Sequence, residues 1–175
     1  YYSKIIQNPS YKSSLIKSKK YNDPVTEADK AAENAIRKVI SLSRPHDGIW
    51  GEETGENASS SGFRWVVDPI DGTRSFISGT PTWGVLISLE QIGSGPILGI
   101  IDQPYIKERF IGGFGISEVR GPLGIRSLKA SETQALSESK LFTTFPEIGT
   151  EKEKIGFHAV AREVKLVRYG LDCYA

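Results

Sequence analysis

Apolar positions first recur at helical spacing: Ala28, Ala32, Ala35, Ile36, Val39 and Ile40 share one face of a 3.6-residue repeat, with Thr26 where an N-cap belongs, so a helix is predicted from there. Past the turn residues Pro45-His-Asp-Gly48, Ile49-Trp50 reads as a short strand ending at Gly51-Glu52-Glu53, and the small polar stretch from Thr54 to Gly62 as a flexible loop. Phe63 to Val67 reads as the next strand and Thr73 to Ile77 as a short helix. Three β-rich runs follow, Val85 to Gln91, Ile97 to Asp102 and Arg109 to Ile111; Gly and Pro turns between them predict an antiparallel meander, with turns and edge strands over Gly112 to Gly124. Polar residues Ala130 to Ser139 precede a strand, Lys140 to Phe145, a helix from about Thr150 to Val164, and a strand, Lys165 to Tyr169. The pattern predicts an α/β (α+β) chain of two units, residues 1–130 and 131–175, with no internal repeat.

Polar positions interrupt this pattern in one telling place. The run Trp65-Val-Val-Asp-Pro-Ile-Asp-Gly-Thr73 ends an apolar strand with two carboxylates and then a Gly-Thr step that can open a helix. Asp68 and Asp71, with the Ile70 carbonyl between them, offer oxygen ligands of the kind hard cations require. The Gly72 and Thr73 amides would lie at a helix N-terminus, where phosphate is favoured. Asp-Pro and Asp-Gly are also ordinary turn dipeptides. What favours a site is recurrence: Gly51-Glu52-Glu53 and Val25-Thr26-Glu27-Ala28-Asp29 place further acids at successive element ends. Asp29 admits two readings, because Thr26-x-x-Asp29 has the form of a capping box and the same fixed carboxylate is placed to orient a metal-bound water.

These three pieces, T-x-x-D, then G-E-E, then W-V-V-D-P-I-D-G-T, resemble the motifs of the magnesium-dependent, lithium-sensitive phosphatases of the inositol monophosphatase superfamily. The resemblance runs from about Lys17 to the end of the chain. It implies a layered αβαβα sandwich of the inositol monophosphatase and fructose-1,6-bisphosphatase type, with residues 1–130 carrying the site. It further implies Glu52, Asp68, the Ile70 carbonyl and Asp71 as metal ligands and Gly72 and Thr73 as phosphate binders. Two or three Mg²⁺ ions, with Mn²⁺ as substitute, a small phosphate monoester as substrate and a homodimer are the corresponding cofactor and partners. Two such ions about 3.5 to 4 Å apart clamp a phosphate for in-line attack by water. On that reading Glu52 and Thr73 would hold and deprotonate the water, Asp29 would either orient it or only cap its helix, Asp68 would bridge the ions, Asp71 would bind the second, and the Gly72 and Thr73 amides would neutralise phosphoryl charge.

Within that superfamily the flanks look closest to the histidinol-phosphatase branch of histidine biosynthesis. The features are Asp71-Gly-Thr-Arg-Ser-Phe76, Asp102-Gln-Pro104 followed by Glu108-Arg-Phe110, and the terminal Arg168-Tyr-Gly-Leu-Asp-Cys-Tyr174. In the family the last segment lies against the organic part of the substrate, where an acidic Asp172 suits an amine or imidazole better than a polyol. Arg74 reads equally as a substrate contact and as a helix-surface arginine. Inositol 1-phosphate or another sugar or nucleotide phosphate is the alternative substrate, and a non-catalytic metal-binding module is the remaining class.

Composition narrows the setting. Across 175 residues, 22 basic side chains balance 21 acidic ones, which leaves no broad footprint for nucleic acid, and Lys17-Ser-Lys-Lys20 reads as a solvated segment. Cys173 is the only cysteine and reads as a small packed residue; a reducing, cytoplasmic setting is expected. No apolar run is long enough to span a membrane. His46 and His158 are isolated and read as surface or loop residues, while Trp50, Trp65 and Trp83 are expected to fill the core near the site. The chain has no methionine, and the resemblance implies a further metal-binding aspartate beyond its last residue, so it is expected to be part of a longer protein.

Overall fold

The structure, a computed structural model, describes residues 17–18, 24–25, 27–147, 149–171 and 173. Helix α1 (Glu27–Ser43) buries Ala28, Asp29, Ala32, Glu33 and Ile40. Its expected cap, Thr26, lies outside the described residues, as do Lys19 and Lys20 of the Lys17-Ser-Lys-Lys20 cluster. The buried face is centred beside Asp29 and Glu33, which turns Val39, expected in the core, toward solvent at 64% exposure.

Two short strands, β1 (Lys17–Ser18) and β2 (Pro24–Val25), pair antiparallel. The main sheet has eight strands in the order β10-β9-β8-β7-β6-β5-β3-β4. They are β3 (Gly48–Gly51), β4 (Gly55–Asn57), β5 (Phe63–Asp71), β6 (Gly84–Gln91), β7 (Gly95–Gln103), β8 (Glu108–Gly113), β9 (Ile116–Gly121) and β10 (Gly124–Ser127). From β5 to β10 they form the antiparallel meander that the Gly and Pro spacing predicts; β3 and β5 alone are parallel.

Two expectations are corrected here. The Thr54 to Gly62 stretch is not all loop: Gly55, at φ 78°, allows a tight reversal, and β4 pairs back on β3 with Gly51 opposite Gly55. The aspartates do not follow their strand but lie within it. Asp68 pairs with Leu86 and Asp71 with Gly84, so three steps on β5 oppose two on β6. That extra residue is a β-bulge, placed where Pro69 has no N–H to give the ladder.

Helix α1 packs on β5. One cluster joins Ile40, Ile49 and Val67, with Ile36 and Trp65 beside them; a second joins Ala28, Ile70, Phe76 and Trp83. Phe76 and Trp83 meet edge to face at 5.1 Å. Trp50, expected inside, is 48% exposed because strand alternation buries its neighbour Ile49; its ring instead carries the Arg64 guanidinium at 4.9 Å.

After the short helix α2 (Thr73–Ser78) and the meander, β11 (Lys140–Thr143), α3 (Glu151–Ala161) and β12 (Leu166–Tyr169) form a parallel strand-helix-strand unit. Thr150 caps α3 rather than beginning it, and the capping box with Glu153 is complete. The result is a mixed α/β fold with a large mixed sheet and helices, the expected class. No helix among the described residues is long and apolar enough to cross a membrane.

Candidate active site

The parallel register of β3 and β5 sets Gly51 opposite Val67, so the C-terminal end of β3 lies beside the middle of β5. Glu52 leaves β3 there, and its backbone N–H donates to Val67 O at 3.2 Å. Asp68 is the next residue on β5. Two acids sixteen positions apart in sequence thus meet because of strand pairing. The bulge then carries Ile70 inward, where its side chain is 1% exposed among Ala28, Phe76 and Trp83. This anchor fixes the backbone on which Asp71 and the Ile70 carbonyl are mounted. Gly72 turns the chain into α2 at φ 82° and ψ 41°, a left-handed conformation that suits glycine. Thr73 Oγ1 donates back to Ile70 O at 3.0 Å.

Glu52, Asp68, Ile70, Asp71, Gly72, Thr73 and Arg74 line one cavity of about 370 Å³, closed on its other side by Thr144, Phe145, Glu147 and Gly149. Seven residues singled out in the sequence are therefore brought together. A larger hollow of about 880 Å³ runs along the sheet from Glu52 and Asp68, but contains neither Asp71 nor Thr73. The smaller cavity gathers the acidic residues, Thr73 and the Ile70 carbonyl.

Asp68 is electrostatically abnormal. Burial pushes its carboxyl up first, and the charges of Glu52 and Asp71 push it further, to about 8. Its Oδ1 is buried without a hydrogen-bond partner. Such an atom is costly unless something satisfies it. A divalent cation fits this donor set, since it would satisfy the orphaned oxygen and relieve the repulsion among three carboxylates. Among the described residues no three acidic, His or Cys side chains form a closed ligand group by themselves. The Ile70 carbonyl and water would have to complete the set, as oxygen-ligated cations commonly require.

The remaining expectations divide. Asp29 is 3% exposed in the first turn of α1, next to Ala28, which belongs to the same core cluster as Ile70; it does not line the cavity. Asp172 lies outside the described residues. Arg74 is exposed at the cavity, with its guanidinium 5.6 Å from the Phe145 ring. His46 is exposed in its loop, whereas His158 is half-buried on α3 against Phe157. Cys173 packs against Gly84, where a Cβ would come within 2.8 Å of its sulfur. Asp102-Gln-Pro104 serves the fold: Gln103 is buried, accepting the Ile106 N–H at 3.0 Å and donating to Pro81 O, and Asp102 accepts from Arg109 at 2.7 Å.

Sequence reasoning missed the far wall at Thr144, Phe145, Glu147 and Gly149, which carries no motif. It also missed Glu33. An acid four residues after Asp29 on the face of Ala32 and Ile40 was the available signal.

Residues 3–170 match the inositol monophosphatase family. The sequence is 42% identical to the chloroplastic bifunctional phosphatase IMPL2 of Arabidopsis thaliana, over 87% of this chain and 43% of that protein. It is 40% identical to a histidinol-phosphatase of Chlorobaculum parvum, over 90% of this chain and 60% of that one. The chain thus spans about half the length of these curated relatives. The solved structure of the extragenic suppressor protein suhB from Bartonella henselae superposes with a TM-score of 0.84 at 28% identity, covering 98% of this chain and 66% of the other. With its acidic motifs on adjoining strand ends and this match along nearly its whole length, the chain belongs to the inositol monophosphatase family.

Proposed function

We propose that the protein to which this chain belongs is a Mg²⁺-dependent phosphate monoester hydrolase acting on L-histidinol phosphate. The observation that carries this reading is the single cavity that gathers Glu52, Asp68, Asp71 and Thr73 around the partnerless Asp68 Oδ1. Glu52, Asp68, the Ile70 carbonyl and Asp71 would hold the metal. Bound Mg²⁺, or Mn²⁺ in its place, supplies the positive charge that clamps the phosphate and acidifies the attacking water.

The protein's own groups do the rest. Thr73 Oγ1 has committed its proton to Ile70 O, so its lone pairs are left to accept from the water and hold it. Glu52 takes the water's proton, and Asp29, buried in the first turn of α1, either orients that water or only caps its helix. The amides of Gly72 and Thr73 stand at the first turn of α2, where N–H groups lack helical acceptors and suit phosphoryl oxygens. No side-chain nucleophile is needed.

The organic half of the substrate is assigned to Arg74 and Asp172. Gly170, two residues before Asp172, donates its N–H to Thr144 O at 2.8 Å, and Thr144 lines the cavity. The family resemblance assigns Asp172 to the organic part of the substrate, and a carboxylate in that role pairs with a cationic amine or imidazole. Likeness to a histidinol-phosphatase supports the same choice, while the family match keeps inositol 1-phosphate as the second reading. The test is phosphate release by the full-length protein from both esters, with and without Mg²⁺. Metal-dependent release from histidinol phosphate is expected. Release from inositol 1-phosphate alone would discard the substrate, and release without metal would discard the mechanism.

A further inference from the structure

Glu33 sits in the middle of α1 with no exposed surface. Burying a carboxylate there is unfavourable unless its oxygens are fully engaged. They are engaged, by the segment that follows β3 and by Arg37 one turn along the helix. Oε2 accepts the Glu53 N–H at 2.7 Å; Oε1 accepts the Thr54 N–H at 3.2 Å, the Thr54 hydroxyl, and Arg37 Nε at 2.8 Å. Arg37 in turn donates to Asn57 Oδ1 at 2.5 Å and to Gly55 O. One helix face therefore clasps the whole hairpin from Glu53 to Asn57. The residue just before the clasped segment is Glu52, whose own N–H is tied to Val67 on β5.

Gly51 supplies an independent sign that this approach is close. A Cβ added there would lie within 2.6 Å of Glu33 Oε2 and nearer still to Oε1. Its backbone needs no left-handed conformation. The glycine of G-E-E is therefore explained by the Glu33 carboxylate lying against it.

We propose that Glu33, braced by Arg37, is a positioning residue that aims Glu52 at Asp68 and Asp71 by fixing the backbone of residues 53–55. This rests on the reading of Glu52 as a metal ligand. The test uses the full-length protein with Glu33→Gln and Gly51→Ala. The amide keeps the shape but turns a donor toward either the Glu53 N–H or the Thr54 and Arg37 donors. Three readouts are compared: Mg²⁺ affinity by calorimetry, the Mg²⁺ concentration for half-maximal phosphate release, and the ester's KM at saturating Mg²⁺.

Both variants are expected to weaken Mg²⁺ roughly 10- to 100-fold, as loss of groups that orient metal ligands does, with KM nearly unchanged and turnover largely restored by excess Mg²⁺. A lowered melting temperature with wild-type Mg²⁺ affinity would overturn the proposal, because Glu33 would then serve stability alone. If Glu33→Gln does not fold, Thr54→Val, which deletes one donor, must show a smaller weakening of Mg²⁺, and wild-type affinity there overturns the proposal. A wild-type protein that binds no Mg²⁺ overturns instead the metal-site reading on which this rests.

Discussion

Replacing Asp68 with asparagine is expected to stabilise the metal-free protein while destroying its capacity for Mg²⁺. Burial, then Glu52 and Asp71, raise the Asp68 carboxyl from 3.8 to about 8. The folded state therefore holds this proton more tightly than the unfolded chain does. The group's contribution is fully present below 3.8 and is lost as pH rises toward 8. At about 1.4 kcal/mol per unit, the unscreened loss between 3.8 and pH 7 is about 4 kcal/mol. Asp68 is only half-buried, and solvent screening reduces this to about 1–2 kcal/mol. Asparagine keeps the shape without the charge. In chelator at pH 8, Asp68→Asn should then melt about 2–8 °C above wild type, with the gap closing toward pH 4. Added Mg²⁺ should raise the wild-type melting temperature and leave the variant unmoved. Equal melting of the two proteins at pH 8 in chelator would refute the reasoning.

Three other substitutions probe the same architecture. Asp71→Ala should lower phosphate release about 100-fold or more in excess Mg²⁺ while circular dichroism shows the fold retained, because the residue is half-exposed and carries no core contact. Ile70→Ala should cost about 2–4 kcal/mol in urea unfolding, since a fully packed side chain anchors the bulge, and should also weaken Mg²⁺ by loosening the loop. Gly72→Ala should cost about 1–2 kcal/mol at its positive φ, read by the same unfolding curves, and should raise KM for the ester as the phosphate-facing amides shift.

What was legible in the sequence was what is local. Asp68-Pro-Ile-Asp71-Gly-Thr73 holds its two carboxylates, its bulge-forming proline and its helix start within six residues, so the motif can be read without the fold. The placement of Glu52 beside Asp68 depends on the parallel register of β3 and β5, which no local pattern encodes. Strand β4 was hidden because Gly55-Glu-Asn57 is exposed and polar, and exists as a strand only through its pairing with β3. Period-two alternation sends Ile49 and Trp50 to opposite faces, and only the pairing and packing of β3 decide which one is buried. Glu33 was passed over because a helical glutamate is ordinarily solvated. The cavity wall from Thr144 to Gly149 arrives by the β11 unit, far away in sequence and free of any chemical signature.

The proposed function stands on Glu52, Asp68 and Asp71 together holding a divalent cation. The most direct test is calorimetric titration of full-length protein with Mg²⁺ at pH 7, repeated in two buffers of different protonation enthalpy, for wild type and Asp68→Asn. Expected is Mg²⁺ binding by the wild type with net proton release that grows at lower pH, because Asp68 must ionise to become a ligand, and no measurable binding by the variant. Wild-type affinity retained in Asp68→Asn would contradict it.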